Sequence, residues 1–286
     1  MSQSPEFSLI VATAGRTAEL DLLLSSLVKQ QSGTDNFEVI ICDQNPPGYL
    51  EAVLARYRQS LSLVHLYSER KSLSYSRNKG IAEAQGKFLT FPDDDCQYYP
   101  DTIQVMHNQL QRENEIDLLI GTVYDRQQQK YVFKKTPAQS TLVTKYNFHA
   151  FVSSIALVVR NNNIRFDENF GIGEAYHSNE DADLLLSCIE KKFKLLYIPE
   201  LQFCHPPYDA RNMSVEKLGR YGIGFGALVR KHLSPVLLYL FIKVLVFQVL
   251  MMAKALFSFN LTELQRRKAA LSGRIKGFFI FKKSAL

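Results

Sequence analysis

The chain has 286 residues, 46% apolar and 22% charged, with a net charge of +6. That is enough to bury a full-sized core, as one large domain or a domain with an appendage, and a 12% aromatic share excludes a solvated tail. The four cysteines (Cys42, Cys96, Cys188, Cys204) form no Cys-x-x-Cys pair, which excludes a zinc ribbon and argues against a disulfide framework, and no secretory leader opens the chain, so a cytoplasmic protein is expected.

In chain order, Phe7 to Ala12 is an apolar run suited to a strand buried on both faces. Leu20, Leu23, Leu24 and Leu27 then recur at helical spacing over 17–31, with Thr17 as the expected N-cap. Phe37 to Cys42 reads as a second strand, ending at Asp43 before the turn signal Asn45-Pro-Pro-Gly48. A helix is expected over 49–59, a strand over 63–67, a helix over 74–84 and a strand over 87–91. Pro100 is expected at the first position of the next helix, followed by a strand over 118–123. Later elements are a strand over 155–160, a helix over 180–191 and a strand over 195–198.

Strands alternating with helices predict an α/β fold with a mostly parallel, Rossmann-type sheet, whose ligand site lies at the carboxyl ends of the strands. Three polar segments fall there: Thr13-Ala-Gly-Arg16, Asp43-Gln-Asn45 and Pro92-Asp-Asp-Asp95. Adjacent carboxylates repel one another, and a hard divalent cation with oxygen ligands removes that repulsion. A solvated turn capping the next helix is the alternative for the triplet.

Upstream of the triplet stand Arg77-Asn78-Lys79-Gly80 and Ala84-Gln-Gly86, then the strand into Asp93, Asp94 and Asp95. Together they resemble the core signature of glycosyltransferase family 2. The resemblance implies a GT-A fold and inverting transfer of a sugar from a nucleotide diphosphate donor, most commonly a UDP-sugar, with Mg²⁺ or Mn²⁺. It implies that Thr13, Arg16, Asp43, Arg77, Asn78, Asp93 and Asp94 bind the nucleotide-sugar, Asp43 at the base or ribose. Asp93 and Asp95 form the Asp-x-Asp pair, and His205, in Phe203-Cys-His205-Pro206, is a third candidate metal ligand. A solvated helix face for Arg77 and Lys79, and a turn cap for Asp43, are the alternatives.

The segment Gly171 to Leu184 resembles the family's later Glu-Asp motif, at Glu180 and Asp181. Asp181 lies four residues before Leu185 and seven before Cys188 and shares their helix face. An inward carboxylate at a helix N-terminus suits a general base for an acceptor hydroxyl. Ser178-x-x-Asp181 also reads as a capping box. A metal opposite one base fits transfer better than hydrolysis, which needs two carboxyl groups flanking the bond.

From Arg230 onward there are eleven Lys/Arg and one acid, Glu263, leaving a body with 23 basic and 27 acidic residues. Lys243 and Lys254 interrupt the apolar run over 233–259, where a central Lys costs a spanning helix ~2.5–3.5 kcal/mol. Leu261, Leu264, Leu271, Ile275 and Phe278 form a second stripe, opposite Arg266, Arg267, Lys268, Arg274 and Lys276. The expected division is a transferase domain over 1–229 and a basic amphipathic tail over 230–286 that lies on the inner face of the cell membrane. A single span and packing on protein are the alternatives, and nucleic acid is not expected as a partner. The expected acceptor is a saccharide or lipid-linked saccharide in polysaccharide or cell-envelope synthesis. A metal-dependent nucleotidyltransferase and a non-catalytic membrane adaptor are the competing classes.

Overall fold

A computed structural model describes residues 4–207 and 209–282; Lys283, the last cation of the basic tail, lies outside them. The backbone contacts group into two units, one of residues 1–166 and 187–208 and one of residues 167–186 and 209–286. The segment 209–229, assigned above to the first domain, thus belongs to the second unit.

The ten strands found among the described residues lie in the first unit: β1 Phe7–Thr13, β2 Phe37–Asp43, β3 Ser62–Tyr67, β4 Phe88–Thr90, β5 Gln97–Tyr98, β6 Leu118–Asp125, β7 Lys130–Tyr131, β8 Thr141–Val143, β9 Leu157–Arg160 and β10 Leu195–Cys204. Its helices are α1 Thr17–Val28, α2 Glu51–Ala55, α3 Leu73–Glu83 and α4 Thr102–Arg112. α5, Glu180–Glu190, begins in the second unit and ends in the first.

The strand order is β3-β2-β1-β4-β9-β6-β10-β5, with β7 on β6 and β8 on β10. β3, β2, β1 and β4 run parallel, as their apolar runs predict, and every residue of β2 is buried. The other half is mixed: β10 runs parallel to β6 as expected, but other pairs depart from that pattern. β9 enters antiparallel between β4 and β6, and β10 pairs antiparallel with β5 and β8. These short pairs have no crossover helix to announce them.

α3 rests directly on the sheet because Gly80 has no side chain. A methyl group there would stand 2.5 Å from Ile10 Cγ2 and 2.9 Å from Cys42 Sγ. α1 starts at Thr17 rather than being capped by it, since Arg16 occupies the cap position. α4 begins at Thr102, with Asp101 as its cap, two residues later than Pro100 suggested. α2 covers only part of the helix expected over 49–59.

The second unit holds α6 Val215–Lys231, α7 Pro235–Phe257 and α8 Leu261–Ile280. α6 and α8 meet through small residues. A methyl group on Gly226 would stand 2.0 Å from the Arg274 carbonyl oxygen, and one on Gly273 would stand 2.2 Å from that of Gly219. Gly222-x-x-x-Gly226 faces Gly273-x-x-x-Gly277, a spacing that lets two helix backbones approach closely. The buried residues of α8 are Ala270, Gly273 and Gly277, and not the leucine stripe: Leu261 and Ile275 are exposed. Close backbone approach selects the small side chains for the inside.

α7 is long and apolar enough to cross a membrane by length and composition, and only 17% of its apolar window is buried. Leu237, Phe241, Gln248 and Ala255 turn inward. Tyr239, Ile242, Val246, Val249 and Leu250 remain exposed, as do Lys243 and Lys254.

Candidate active site

The three polar segments at the strand ends are tied to one another by hydrogen bonds. Gly15, at φ 73°, donates its N–H to Asn45 Oδ1 at 2.6 Å, joining the loop after β1 to the loop after β2. Arg16 Nη1 donates to Asp94 Oδ1 at 2.8 Å and also to Asp95, joining the first loop to the acidic corner after β4. Arg16 gives no side-chain cap to α1, because a guanidinium carries donors and no acceptor for the helix N–H groups.

Asp43 was expected to touch the nucleotide, but its carboxylate has no exposed surface. Its Oδ1 accepts from the Asn45 backbone N–H and from Asn45 Nδ2, both at 2.8 Å, and His65 Nε2 lies 3.0 Å from Oδ2. Asp43 is thus tied to Asn45 and His65 in a turn-holding arrangement. Asn45 belongs to the turn signal read after β2, whereas nothing in the sequence marks His65. Thr13, at the end of β1, is likewise buried.

Arg77 is 1% exposed, which overturns the solvated-face alternative. From α3 its Nη2 donates to Asp93 Oδ1 at 2.9 Å and to Ser154 Oγ at 3.1 Å. The guanidinium also lies 5.3 Å from the Phe166 ring centroid, within cation–π range. Asn78 clasps the Phe166 backbone, donating Nδ2–H to its carbonyl and accepting its N–H, both at 2.9 Å. A side chain expected beside the nucleotide is thus engaged in holding the wall that packs against Arg77.

The acidic corner is completed by a distant strand. Gln97 faces Cys204 and Tyr98 faces Phe203 in the antiparallel β5–β10 ladder, and this register carries His205 back to the aspartates. Nε2 of His205 lies 3.4 Å from Asp95 Oδ1. One ligand atom from each of Asp93, Asp95 and His205 falls within 4.8 Å of the others. Asp95 Oδ1 is shut off from solvent and makes no hydrogen bond among the described residues. Two carboxylates and an imidazole, with the buried Asp95 oxygen held only by the long His205 contact, fit a divalent cation.

The electrostatics separate the three aspartates. Partial desolvation raises Asp93 above the ordinary carboxylate range, Arg77 opposes it, and the charge of Asp95 adds to the rise. Burial also raises Asp94, with the Thr13 hydroxyl and Arg16 opposing. Asp95 is lowered: burial pushes it up, but its contacts with His205 and Arg16 outweigh that. Burial pulls His205 down, and the bond with Asp95 more than compensates, leaving its pKa raised.

In the second unit, Glu180 and Asp181 are half-buried residues of the first turn of α5, and Asp181 Oδ1 accepts the Ala182 N–H at 2.8 Å. The helix begins at Glu180, so Ser178 is not at its cap position; the Ser178 hydroxyl accepts from Asn179 Nδ2 at 2.8 Å. The fully inward acid of this helix is Asp183, 2% exposed, which pairs with Lys231 at 2.7 Å and with His232 Nε2 at 2.8 Å. Lys231 also reaches Asp167 at 2.7 Å.

With this geometry in place, comparison with known proteins gives a consistent answer. The profile described as Glycosyl transferase family 2 matches residues 8–177, more than half of the chain, and the chain belongs to that family. It is 25% identical over 208 residues to the minor teichoic acid biosynthesis protein GgaB of Bacillus subtilis, covering 69% of this chain and 22% of that protein. It is 26% identical over 176 residues to the poly(ribitol-phosphate) β-N-acetylglucosaminyltransferase TarS of Staphylococcus aureus, covering 59% and 31%. The chain thus spans less than a third of the length of these curated relatives.

Among solved structures, a TarS fragment aligns with a TM-score of 0.60 at 16% identity, over 94% of this chain and 90% of that one. Another TarS structure holds UDP-GlcNAc. The mannosyltransferase PcManGT of Pyrobaculum calidifontis, in complex with GDP-Man and Mn²⁺, aligns with a TM-score of 0.63 at 13% identity, over 96% and 88%. At these identities the likeness establishes the fold, a GT-A-type α/β architecture.

Proposed function

We propose that the chain is a metal-dependent inverting glycosyltransferase. It moves a sugar from a nucleotide diphosphate donor, of the uridine class bound by the TarS structure, to a saccharide or lipid-linked saccharide in cell-envelope polymer synthesis. The observation that carries this reading is the convergence of Asp93, Asp95 and His205, one ligand atom of each within 4.8 Å of the others, with Asp95 Oδ1 buried among them.

Asp93, Asp95 and His205 would hold Mg²⁺ or Mn²⁺, which supplies Lewis-acid stabilisation for the departing nucleotide diphosphate. Arg77 fixes Asp93 in position, and Asp94 holds Arg16. Arg16 keeps 45% of its side chain exposed and supplies a reachable cation for the diphosphate. Asp43, acting through Asn45, orders the loop between β1 and α1. Asp181, assisted by Glu180, takes the proton of the acceptor hydroxyl. In this reading residues 1–229 perform the transfer. Residues 230–286 attach the enzyme to the cytoplasmic face of the membrane, where a lipid-linked acceptor is available.

Thermal shift with a panel of nucleotide sugars tests the reading. A UDP-sugar should raise the melting temperature with Mn²⁺ or Mg²⁺ and not with EDTA. If no nucleotide sugar stabilises the protein with either metal, the proposal fails.

A further inference from the structure

The second unit contains a cavity of about 530 Å³, bounded by Leu218 of α6, Gln248 of α7 and the stretch of α8 from Thr262 to Arg274. Its charged wall is one-sided. Arg211, Arg266, Arg267 and Arg274 face Glu263 as the single lining acid. Arg267 Nε pairs with Glu263 at 2.6 Å, and Arg211 pairs with Asp209 at 2.9 Å. Arg274 has no such partner: its Nη1 donates to the Ala270 carbonyl at 2.7 Å, and its Nε is cut off from solvent without a hydrogen bond. Burial and then the neighbouring Arg267 lower the pKa of Arg274, so the positive charge there is held against both. A buried guanidinium edge without an acceptor, in a cavity with surplus positive charge, is a place for an anion.

The rim shows where that anion comes from. Along the link into α8, Asn260 and Thr262 line the cavity, while their neighbours Phe259 and Leu261 are 91% and 69% exposed. Phe257 is 88% exposed, and Phe247, with Arg267 5.7 Å from its ring centroid, is half-exposed. Apolar side chains beside arginines match the boundary of a bilayer, where acyl chains meet phosphates. We propose that this cavity binds the phosphate headgroup of an anionic membrane lipid, with Phe257, Phe259 and Leu261 entering the apolar layer beside it. The inference rests on the membrane-attachment reading above and adds to it a defined anion site.

Flotation of the full-length protein tests the proposal, using vesicles of phosphatidylcholine alone and of phosphatidylcholine with phosphatidylglycerol. The wild type should favour the anionic vesicles. Arg274→Gln and Arg267→Gln should each reduce that preference about fivefold, the effect of one basic residue at the headgroups, while binding to neutral vesicles is kept. Phe259→Ser should weaken binding to both. Two variants are used because Arg274 also binds backbone; circular dichroism verifies that each is folded. An anionic preference unchanged in both arginine variants overturns the anion site. Stabilisation of the wild type by inorganic phosphate, beyond that by chloride at equal ionic strength and without any vesicle preference, makes it a site for free phosphate and overturns the lipid assignment. Failure to float with either vesicle overturns the attachment reading itself.

Discussion

Arg77 Nη2 and Asp93 Oδ1 are 2.9 Å apart, with the cation 1% exposed and the carboxylate 38% exposed. A buried cation thus aims the first carboxylate of the acidic corner. Arg77→Met should destabilise the protein by on the order of 3 kcal/mol, measured by urea unfolding, because the ion pair and the stacking on Phe166 are lost together. Arg77→Lys should recover part of the stability and less of the metal affinity, since a point charge does not replace the guanidinium fork.

Asp95→Asn should lower Mn²⁺ affinity in calorimetry by at least about a hundredfold, more than loss of an outer hydrogen-bond partner costs at a metal site. His205→Ala should have a smaller effect of the same sign. Retention of full Mn²⁺ affinity in Asp95→Asn would place the cation elsewhere.

Asp181→Asn distinguishes a base from a helix cap. A general base contributes about 10²–10⁴ in rate, so turnover should fall by that factor while donor binding is kept. A capping residue would instead leave turnover unchanged in Asp181→Asn, which keeps the acceptor oxygen, and would cost about 1 kcal/mol of stability only in Asp181→Ala. Single-turnover kinetics and a thermal melt on the same sample decide between them.

The ion pair of Asp167 and Lys231 predicts pH-dependent stability. Burial alone would raise Asp167, but the Lys231 ammonium and the Asn169 N–H leave it lowered. Its contribution is therefore fully present above the unfolded value of about 3.9 and disappears as pH falls through the lower folded value. Lys231 is pulled down by burial but raised overall by Asp183 and Asp167, so its contribution persists below about pH 10.4 and is lost above it. In chemical denaturation at several pH values, Asp167→Asn should be less stable than wild type at pH 5–7, with the gap closing below about pH 4.

Gly226→Ala should destabilise the second unit by about 2 kcal/mol, because its methyl group meets the Arg274 carbonyl at 2.0 Å. That cost outweighs the ~1 kcal/mol of helix propensity gained. A denaturation midpoint at or above the wild-type value would show that the α6–α8 crossing relaxes freely.

The parallel half of the sheet was legible because buried parallel strands read as unbroken apolar runs; β1 and β2 do so. The acidic corner was legible because chemistry placed three carboxylates directly after such a run. β10 was only half visible. Pro199 and Glu200 interrupt its apolar pattern where its register against β6 shifts, so the part that delivers His205 did not register as strand. α6 is not legible in the sequence, because its four glycines, Gly219, Gly222, Gly224 and Gly226, argue against a helix where no close neighbour requires them. Spacing in the sequence points to the face of Asp181, but Lys231 on α6 and His232 just after it turn Asp183 inward instead.

The imidazole arrives on the closing strand, whereas the carboxylates precede it early in the chain. An ion gripping all three would staple segments that synthesis keeps far apart. A nascent polypeptide ending before Leu195 carries every aspartate of the corner and lacks the grip, so uptake of manganese would report that the sheet is finished.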